Sequence, residues 1–343
     1  MKTDLMTVKH VTKHFPLKGG RGTVHAVEDV SFTLKNGETL GIVGESGCGK
    51  STLARVLLRL IEPSSGKIYL EGIDLGKLSP ASLRAKRKEM QIIFQDSYAS
   101  LDTRQKIGNI IAEPLVVHRM GSKIKRRQRV GELLDMVGLD PDAARRYPHE
   151  FSGGQRQRIG IARAIALEPK LVIADEPVSA LDVSIQSQVL NLLVDLRKQL
   201  GLSYIFISHD LAVVEHICDT IAVMYLGEIV EMTDGETLFA TPKHPYTQAL
   251  LSAIPRPDPK RRGSPRIVLQ GDIPNPENPP AGCRFHTRCP KAMPECKTQK
   301  PGQRQYEKSG TQHLVSCHKY KLALLPHCAR IRCGDKTRGS RSH

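Results

Sequence analysis

Gly44-Glu45-Ser46-Gly47-Cys48-Gly49-Lys50-Ser51-Thr52 stands between an apolar run, Leu40-Gly41-Ile42-Val43, and a stretch of helical periodicity, Leu53-Ala54-Arg55-Val56-Leu57-Leu58. The spacing G-x-x-x-x-G-K-[ST] in a strand–loop–helix setting reads as a phosphate loop. Its glycines let backbone N–H groups turn inward, and the helix start adds partial positive charge, so phosphates bind without a bulky side chain in the way. In this pattern Lys50 reaches the β- and γ-phosphates of a nucleotide and Ser51 ligates Mg²⁺. An ordinary glycine turn is the bland alternative, and the flanking strand and helix argue against it. Cys48 sits at the helix start, a place that can lower a thiol's pKa, although its small side chain also simply fits there.

Further along, Leu171-Val172-Ile173-Ala174-Asp175-Glu176 is an apolar strand ending in two carboxylates. Strand ends of an open α/β sheet face the ligand crevice. Asp175 there would hold Mg²⁺ through water, and Glu176 would orient or deprotonate an attacking water. Such a strand end is a weak signal alone and a strong one beside a phosphate loop.

Outward from these motifs, residues 1–255 alternate short apolar strands with helices, the pattern of an α/β domain. The periodicity predicts strands at 5–11, 24–34, 38–43, 67–71, 90–94, 171–174, 203–207 and 221–226. It predicts helices at 50–60, 107–118, 123–137, 155–167, 183–200 and 211–217. From about 96 to 158 the strands stop, which suggests a helical insertion. Composition then shifts: eight of the 22 prolines fall in 255–280, so 256–282 reads as an extended linker. Cysteines follow at 283, 289, 296 and 317 (residues 283–320), and 321–343 is a basic tail without apolar periodicity that carries Cys328 and Cys333.

Composition bounds the function. The 343 residues hold 51 Lys+Arg against 35 Asp+Glu, no Trp, and 4% aromatics, so a base-stacking surface is not expected. Residues 255–343 carry 19 basic and 6 acidic residues, which leaves 32 and 29 for residues 1–254. The positive excess thus lies away from the motifs, where it suits a solvated tail or an anionic membrane surface better than nucleic acid. No run approaches the ~18 apolar residues of a membrane-spanning helix, the N-terminus lacks a signal-like apolar core, and low cysteine usage points to the cytosol.

Between the two carboxylate-bearing motifs lies Phe151-Ser152-Gly153-Gly154-Gln155-Arg156-Gln157-Arg158. Here the chain resembles the nucleotide-binding subunits of ATP-binding cassette (ABC) transporters, with Phe151 where that family usually has Leu. The resemblance implies a P-loop NTPase (RecA-like) α/β core with an antiparallel β subdomain and a helical insertion, followed by a small Cys-rich C-terminal extension. It implies that Ser152, Gly153, Gly154 and Gln155 cap the γ-phosphate of ATP held by an opposite subunit, and that Asp182 of Ser179-Ala180-Leu181-Asp182 contacts across that dimer. Gln95 resembles the Q-loop glutamine that senses Mg²⁺ and the attacking water. His209 resembles the switch histidine that steadies Glu176, and Phe15 stands where the family stacks adenine. ATP is then held by Phe15 and by Gly44, Glu45, Ser46, Gly47, Cys48, Gly49, Lys50, Ser51 and Thr52, with Ser51, Gln95 and Asp175 around Mg²⁺.

Within that family the chain looks like the oligopeptide/dipeptide importer branch. Ala174 to Ser184, Val223-Met224-Tyr225-Leu226-Gly227, His244-Pro245-Tyr246-Thr247-Gln248-Ala249-Leu250-Leu251 and Gly282-Cys283-Arg284-Phe285-His286-Thr287-Arg288-Cys289-Pro290 carry the likeness. It departs from the branch at Asp96-Ser97 and at 101–106, near where a membrane subunit docks. The resemblance implies a peripheral ATPase on the cytoplasmic face of the membrane, paired with a second, different ATPase subunit. Two permease subunits and an extracytoplasmic peptide-binding protein complete the assembly, with no nucleic acid. Importers of glutathione or nickel, and a soluble ABC ATPase acting on nucleic acid, are the alternatives. For Cys283, Cys289, Cys296 and Cys317 the branch implies a [4Fe–4S] cluster. Zinc on four thiolates is an alternative, although the tight C-x2–4-C pairs of zinc sites are missing; a mixed zinc site with His286, His313 or His318, and free thiols, are the others.

Overall fold

Thr39–Val43 (β3) is buried along its whole length and lies in the middle of an eight-stranded sheet, as a fully apolar strand must. In this computed structural model, residues 3–17, 19, 22–96, 98–254, 267–308 and 311–320 are described. Ahead of β3, β1 (Asp4–Pro16) and β2 (Thr23–Lys35) pair antiparallel, and β4 (Ser65–Leu70) and β5 (Ile73–Asp74) extend them into a four-stranded sheet, order β2-β1-β4-β5. Between the two sheets runs α1 (Lys50–Leu57). Leu53, Ala54, Val56 and Leu57 of this helix are buried with Leu5, Leu34 and Ile42 in one apolar cluster.

The helical stretch predicted for 50–60 ends at Leu57. Arg59 turns left-handed (φ 54°) and the N–H of Leu60 reaches back to the carbonyl of Arg55, 2.9 Å away, which closes the last turn. After α2 (Pro80–Lys86), β6 (Met90–Ile93) enters the large sheet at its edge. The predicted helical insertion follows as α3 (Ile107–Val117), α4 (Lys123–Met136) and α5 (Gly153–Ile165). The last begins two residues earlier than its periodicity suggests, because Ser152 accepts from the N–H of Gln155 while Gln155 accepts from the N–H of Ser152.

The chain then lays down β7 (Leu171–Asp175), α6 (Val183–Leu200), β8 (Ser203–Ser208), α7 (Leu211–Ile217) and β9 (Thr220–Tyr225). Strands β9, β3, β8, β7 and β6 are parallel neighbours, and their carboxyl ends gather on one edge. Beyond them come β10 (Glu228–Asp234), α8 (Gly235–Ala240), α9 (Pro245–Ser252), β11 (Arg304–Lys308) and β12 (Thr311–Val315). Periodicity did not signal these elements. Pro245 looks like a breaker but occupies the first turn of α9, where its missing N–H costs nothing.

The Cys-bearing segment does not stand apart. β12 pairs antiparallel with β10, so the large sheet runs β11-β12-β10-β9-β3-β8-β7-β6. Phe285 is 1% exposed and shares the core with Tyr225 and Tyr246, ring centroids 5.2 and 5.4 Å away. Burying such a ring contributes about 2–3 kcal/mol, so the segment draws on the main core. Among the described residues no helix is long and apolar enough to cross a membrane. The expected basic tail, 321–343 with Cys328 and Cys333, lies outside the described residues, as do Pro255 and residues 256–266 of the linker.

Candidate functional site

The phosphate loop bridges β3 and α1. Gly49, the residue before α1, has φ 106°, and a Cβ there would lie 2.0 Å from the carbonyl oxygen of Ala26 on β2. Only glycine lets the loop lie that close to the antiparallel sheet. Lys50 is 4% exposed, and its ammonium donates to the carbonyls of Gly44 (2.8 Å) and Glu45 (3.0 Å). It also lies 3.9 Å from Glu176 Oε1.

Two neighbouring parallel strands supply the opposite wall. Ser51 Oγ donates to Asp175 Oδ1 at 2.9 Å, across 124 residues of sequence. Burial raises the Asp175 carboxyl above its usual range; the Ser51 hydrogen bond opposes that rise and the neighbouring Glu176 charge adds to it. Glu176 itself is left-handed (φ 47°), and its N–H donates to the carbonyl of Ile207 at 3.0 Å. That turn swings its carboxylate off the strand end, where Oε2 accepts from Gln95 Nε2 (3.0 Å) and lies 3.2 Å from His209 Nδ1. A carboxylate so held can orient a water and take its proton.

A cavity of about 330 Å³ opens between these walls. Of the residues expected to hold a nucleotide, Phe15, Ser46, Gly47, Gly49, Lys50, Ser51, Thr52, Gln95 and Glu176 line it. Gly44, Glu45 and Cys48 do not. Cys48 faces the core, 4% exposed, where burial pushes its thiol up despite the pull of Lys50. The lowered, reactive thiol that a helix start can produce is therefore not found.

Ser152, Gly153, Gly154 and Gln155 line none of this cavity. They form the N-terminus of α5, and a Cβ on Gly154 would lie 2.4 Å from Cγ2 of Ile185 on α6. Asp182 precedes α6, is exposed, and makes no side-chain cap. Neither feature lines the cavity beside the chain's own phosphate loop.

Sequence reasoning assigned no role to several residues that brace the site. Val24, Ala26 and Pro276 complete the cavity lining. The carbonyl of Pro276 accepts from the N–H of His25 at 3.0 Å, so part of the proline-rich stretch is docked on the nucleotide wall. Tyr246 Oη accepts from the N–H of Glu45 at 3.0 Å. Arg288 grips the Glu45 carboxylate. His14, His25 and Glu28 are the one trio of metal-ligating side chains within 4.8 Å of one another among the described residues. Glu28 Oε2 already accepts from Arg284 at 2.8 Å, which makes the trio a hydrogen-bonded hub and a poor cation site. Burial alone would raise the Glu28 carboxyl, but the hydrogen bonds from His25 and His14 and the Arg284 charge hold it below its usual range.

The four extension cysteines are free thiols. Burial pushes Cys283 up to about 12, Cys289 and Cys317 rise for the same reason, and the neighbouring cysteine sulfurs add to each of these three rises. Each also accepts a backbone N–H: Cys283 from Phe285, Cys289 from Lys291, Cys317 from Lys319, and Cys296 from Met293 at 3.4 Å.

Comparison with known proteins fits this geometry. The ABC transporter family model matches residues 27–179, and the model of the oligopeptide/dipeptide transporter C-terminal region matches 230–296. The chain is 53% identical over 325 residues to the oligopeptide transport ATP-binding protein AppF of Bacillus subtilis, covering 92% of this chain and 97% of that protein. It is 54% identical over 306 residues to a probable peptide ABC transporter ATP-binding protein, y4tS, of Sinorhizobium fredii, covering 88% and 86%. Among solved structures it is similar to the dimeric, post-hydrolysis ATP-binding cassette MJ0796 bound to ADP and Pi, with TM-score 0.61, 30% identity, and coverage of 67% of this chain and 98% of that one. CbiO1 of Clostridium perfringens gives TM-score 0.62 at 28% identity, over 70% of this chain and 92% of that one.

Proposed function

This chain belongs to the ATP-binding subunits of oligopeptide and dipeptide ABC importers, and from that premise we propose how its residues bind ATP, hydrolyse it and pass the work on. It is the ATP-hydrolysing subunit of a peptide importer and works with membrane permeases. Phe15 stacks the adenine, while the loop amides of 44–49 and Lys50 hold the triphosphate. Lys50 now rests on its own loop carbonyls and is free to exchange them for phosphate oxygens. Ser51, Asp175 and Gln95 would hold Mg²⁺, which neutralises charge between the β- and γ-phosphates when bound. Glu176 accepts the proton of the attacking water, with His209 and Gln95 fixing its carboxylate.

The observation that carries this reading is the division of the machinery. One cavity holds Lys50, Ser51 and Glu176, and the Ser152–Gln155 turn lines no part of it. Two chains placed head to tail would each offer that turn to the other's ATP. Ser152 and the first amides of α5 then cap a γ-phosphate, as helix N-termini do for anions. We assign the opposite place to a sister ATPase, and the upstream task of delivering solute to an extracytoplasmic peptide-binding protein. ATP favours the closed pair because only that pair completes its contacts, and this difference in affinity is what moves the permeases. The chain sits accordingly on the cytoplasmic face of the membrane.

For the extension we propose a [4Fe–4S] cluster held by Cys283, Cys289, Cys296 and Cys317. Support comes from the donor set: four free thiols, each with a backbone N–H aimed at its sulfur, with Cys283, Cys289 and Cys317 in a buried setting that disfavours their bare thiolates. Among the described residues no three of these sulfurs lie within 4.8 Å of one another, whereas a zinc tetrahedron brings them to about 3.8 Å. Bound there, such a group cross-links the segment to the main core.

The test is uptake. A host lacking this subunit should lose import of labelled di- and oligopeptides and keep import of glutathione and nickel; the wild-type gene should restore peptide import and Lys50→Ala should not. Loss of glutathione or nickel uptake instead would refute the peptide reading.

A further inference from the structure

Glu45 is the single acidic side chain in the stretch 44–52, which must receive a polyanion. Its carboxylate does not point into the cavity unpaired. Arg288 donates to Oε2 at 2.7 Å and to Oε1 at 3.1 Å, a two-pronged fork, and the Arg288 side chain is only 8% exposed. Such charged, bidentate pairs are short and geometrically demanding. The backbone of Glu45 is equally committed: its N–H donates to Tyr246 Oη, and its carbonyl accepts from Lys50 Nζ and, at 3.3 Å, from the N–H of Cys48.

Arg288 comes immediately before Cys289, and Arg284 immediately after Cys283. Arg284 donates to Glu28 (2.8 Å), lies 2.9 Å from Glu228, and donates to the carbonyl of Leu226. The two arginines thus plant the cysteine-bearing turn on both halves of the nucleotide wall: Glu28 on β2 and Glu45 in the phosphate loop. Among the described residues the cation that pairs with the Glu45 carboxylate is Arg288, which comes from outside the α/β core.

We propose that Arg288 is a positioning residue for ATP, cancelling the Glu45 charge and fixing the phosphate loop, so that nucleotide affinity depends on the docking of the cysteine-bearing segment. This rests on the chain being an ATP-binding subunit. An unpaired carboxylate on the loop would repel the triphosphate and leave the loop free to shift. With Arg288 in place the loop's amides and Lys50 meet the phosphates from a near-neutral ring.

Equilibrium binding of Mg–ATP to the full-length protein, with hydrolysis by the assembled importer, tests this. Arg288→Ala should weaken ATP binding about tenfold, raising KM while kcat at saturation stays within twofold. Glu45→Gln removes the charge that Arg288 answers, so the double variant should recover most of the lost affinity. Arg288→Lys keeps the charge without the fork and should fall between. Cys289→Ser should weaken binding about threefold through the same turn. The proposal is overturned if Arg288→Ala binds Mg–ATP within twofold of wild type, or if Glu45→Gln restores nothing, because a merely structural arginine would give that result. Unchanged affinity in Cys289→Ser would overturn the dependence on the cysteine segment. Failure of the wild type to bind Mg–ATP would instead sink the ATP reading.

Discussion

His244 ties acid stability to the nucleotide site, and its contribution can be worked out. The residue is 1% exposed, caps α9, and accepts at Nδ1 from the N–H of Tyr246 at 3.1 Å. Burial lowers its pKa from 6.5 to about 4, against the opposing pull of Glu231, whose Oε2 accepts the His244 N–H at 2.9 Å. Between those two values the unfolded chain binds a proton that the folded chain refuses. Stability therefore falls as pH drops from about 6.5 toward 4. Integrating the linkage gives a loss of about 2 kcal/mol between pH 7.5 and 5.0, and about 3 kcal/mol once both states are titrated. The Glu231 carboxyl, lowered despite its burial by hydrogen bonds from His313, Thr247 and the Lys243 and His244 amides, subtracts in the same direction only near and below pH 4.5. Urea unfolding followed by circular dichroism at constant ionic strength measures the slope. His244→Asn retains the acceptor for the cap and has no proton to gain. That variant should be less stable overall, having lost its packing against Phe285 (ring centroids 5.6 Å apart). Its difference between pH 7.5 and 5.0 should nonetheless be about 2 kcal/mol smaller than that of wild type. A wild-type protein equally stable at both pH values, or an Asn variant with the full slope, would refute the reasoning.

Glu176→Gln keeps the size of the side chain and removes the proton acceptor, so hydrolysis should drop by about 10²–10⁴-fold with ATP binding intact; single-turnover rates within tenfold of wild type would remove Glu176 from that role. Gly49→Ala would drive a Cβ against the Ala26 carbonyl 2.0 Å away in a left-handed backbone, and should cost both stability and nearly all ATP affinity, read by thermal melting and nucleotide titration. Anaerobically purified protein should carry about four irons and a visible absorption band, both lost in Cys296→Ser; stoichiometric zinc without iron would exclude the cluster.

Much of the site was legible because its chemistry is written in short, contiguous stretches. The phosphate loop needs glycines, a lysine and a hydroxyl at fixed spacing, and Gly47, Gly49, Lys50, Ser51 and Thr52 line the cavity from that one stretch. Glu176 was legible as the end of an apolar strand. What could not be read is contact between distant segments. Arg288 lies 243 residues from the carboxylate it grips, and Tyr246 lies 201 residues from the amide it holds. Both fall within stretches that were noted for likeness alone. The strands β10 and β12 were missed because the buried polar Glu231 and His313 interrupt their apolar runs.

The linear order of residues determined the parallel α/β core, the position of the phosphate loop, and the pair Asp175 and Glu176, because periodicity and local spacing encode them without reference to the rest of the chain. Only the tertiary structure decided that the cysteine-bearing segment is a continuation of the main sheet. It also decided that Cys48 is an inert core thiol, and that Glu45 meets Arg288 before it can meet a phosphate. Each of these depends on which surfaces are close in space, and the burial and charge pairing that follow from closeness have no signature in spacing along the chain.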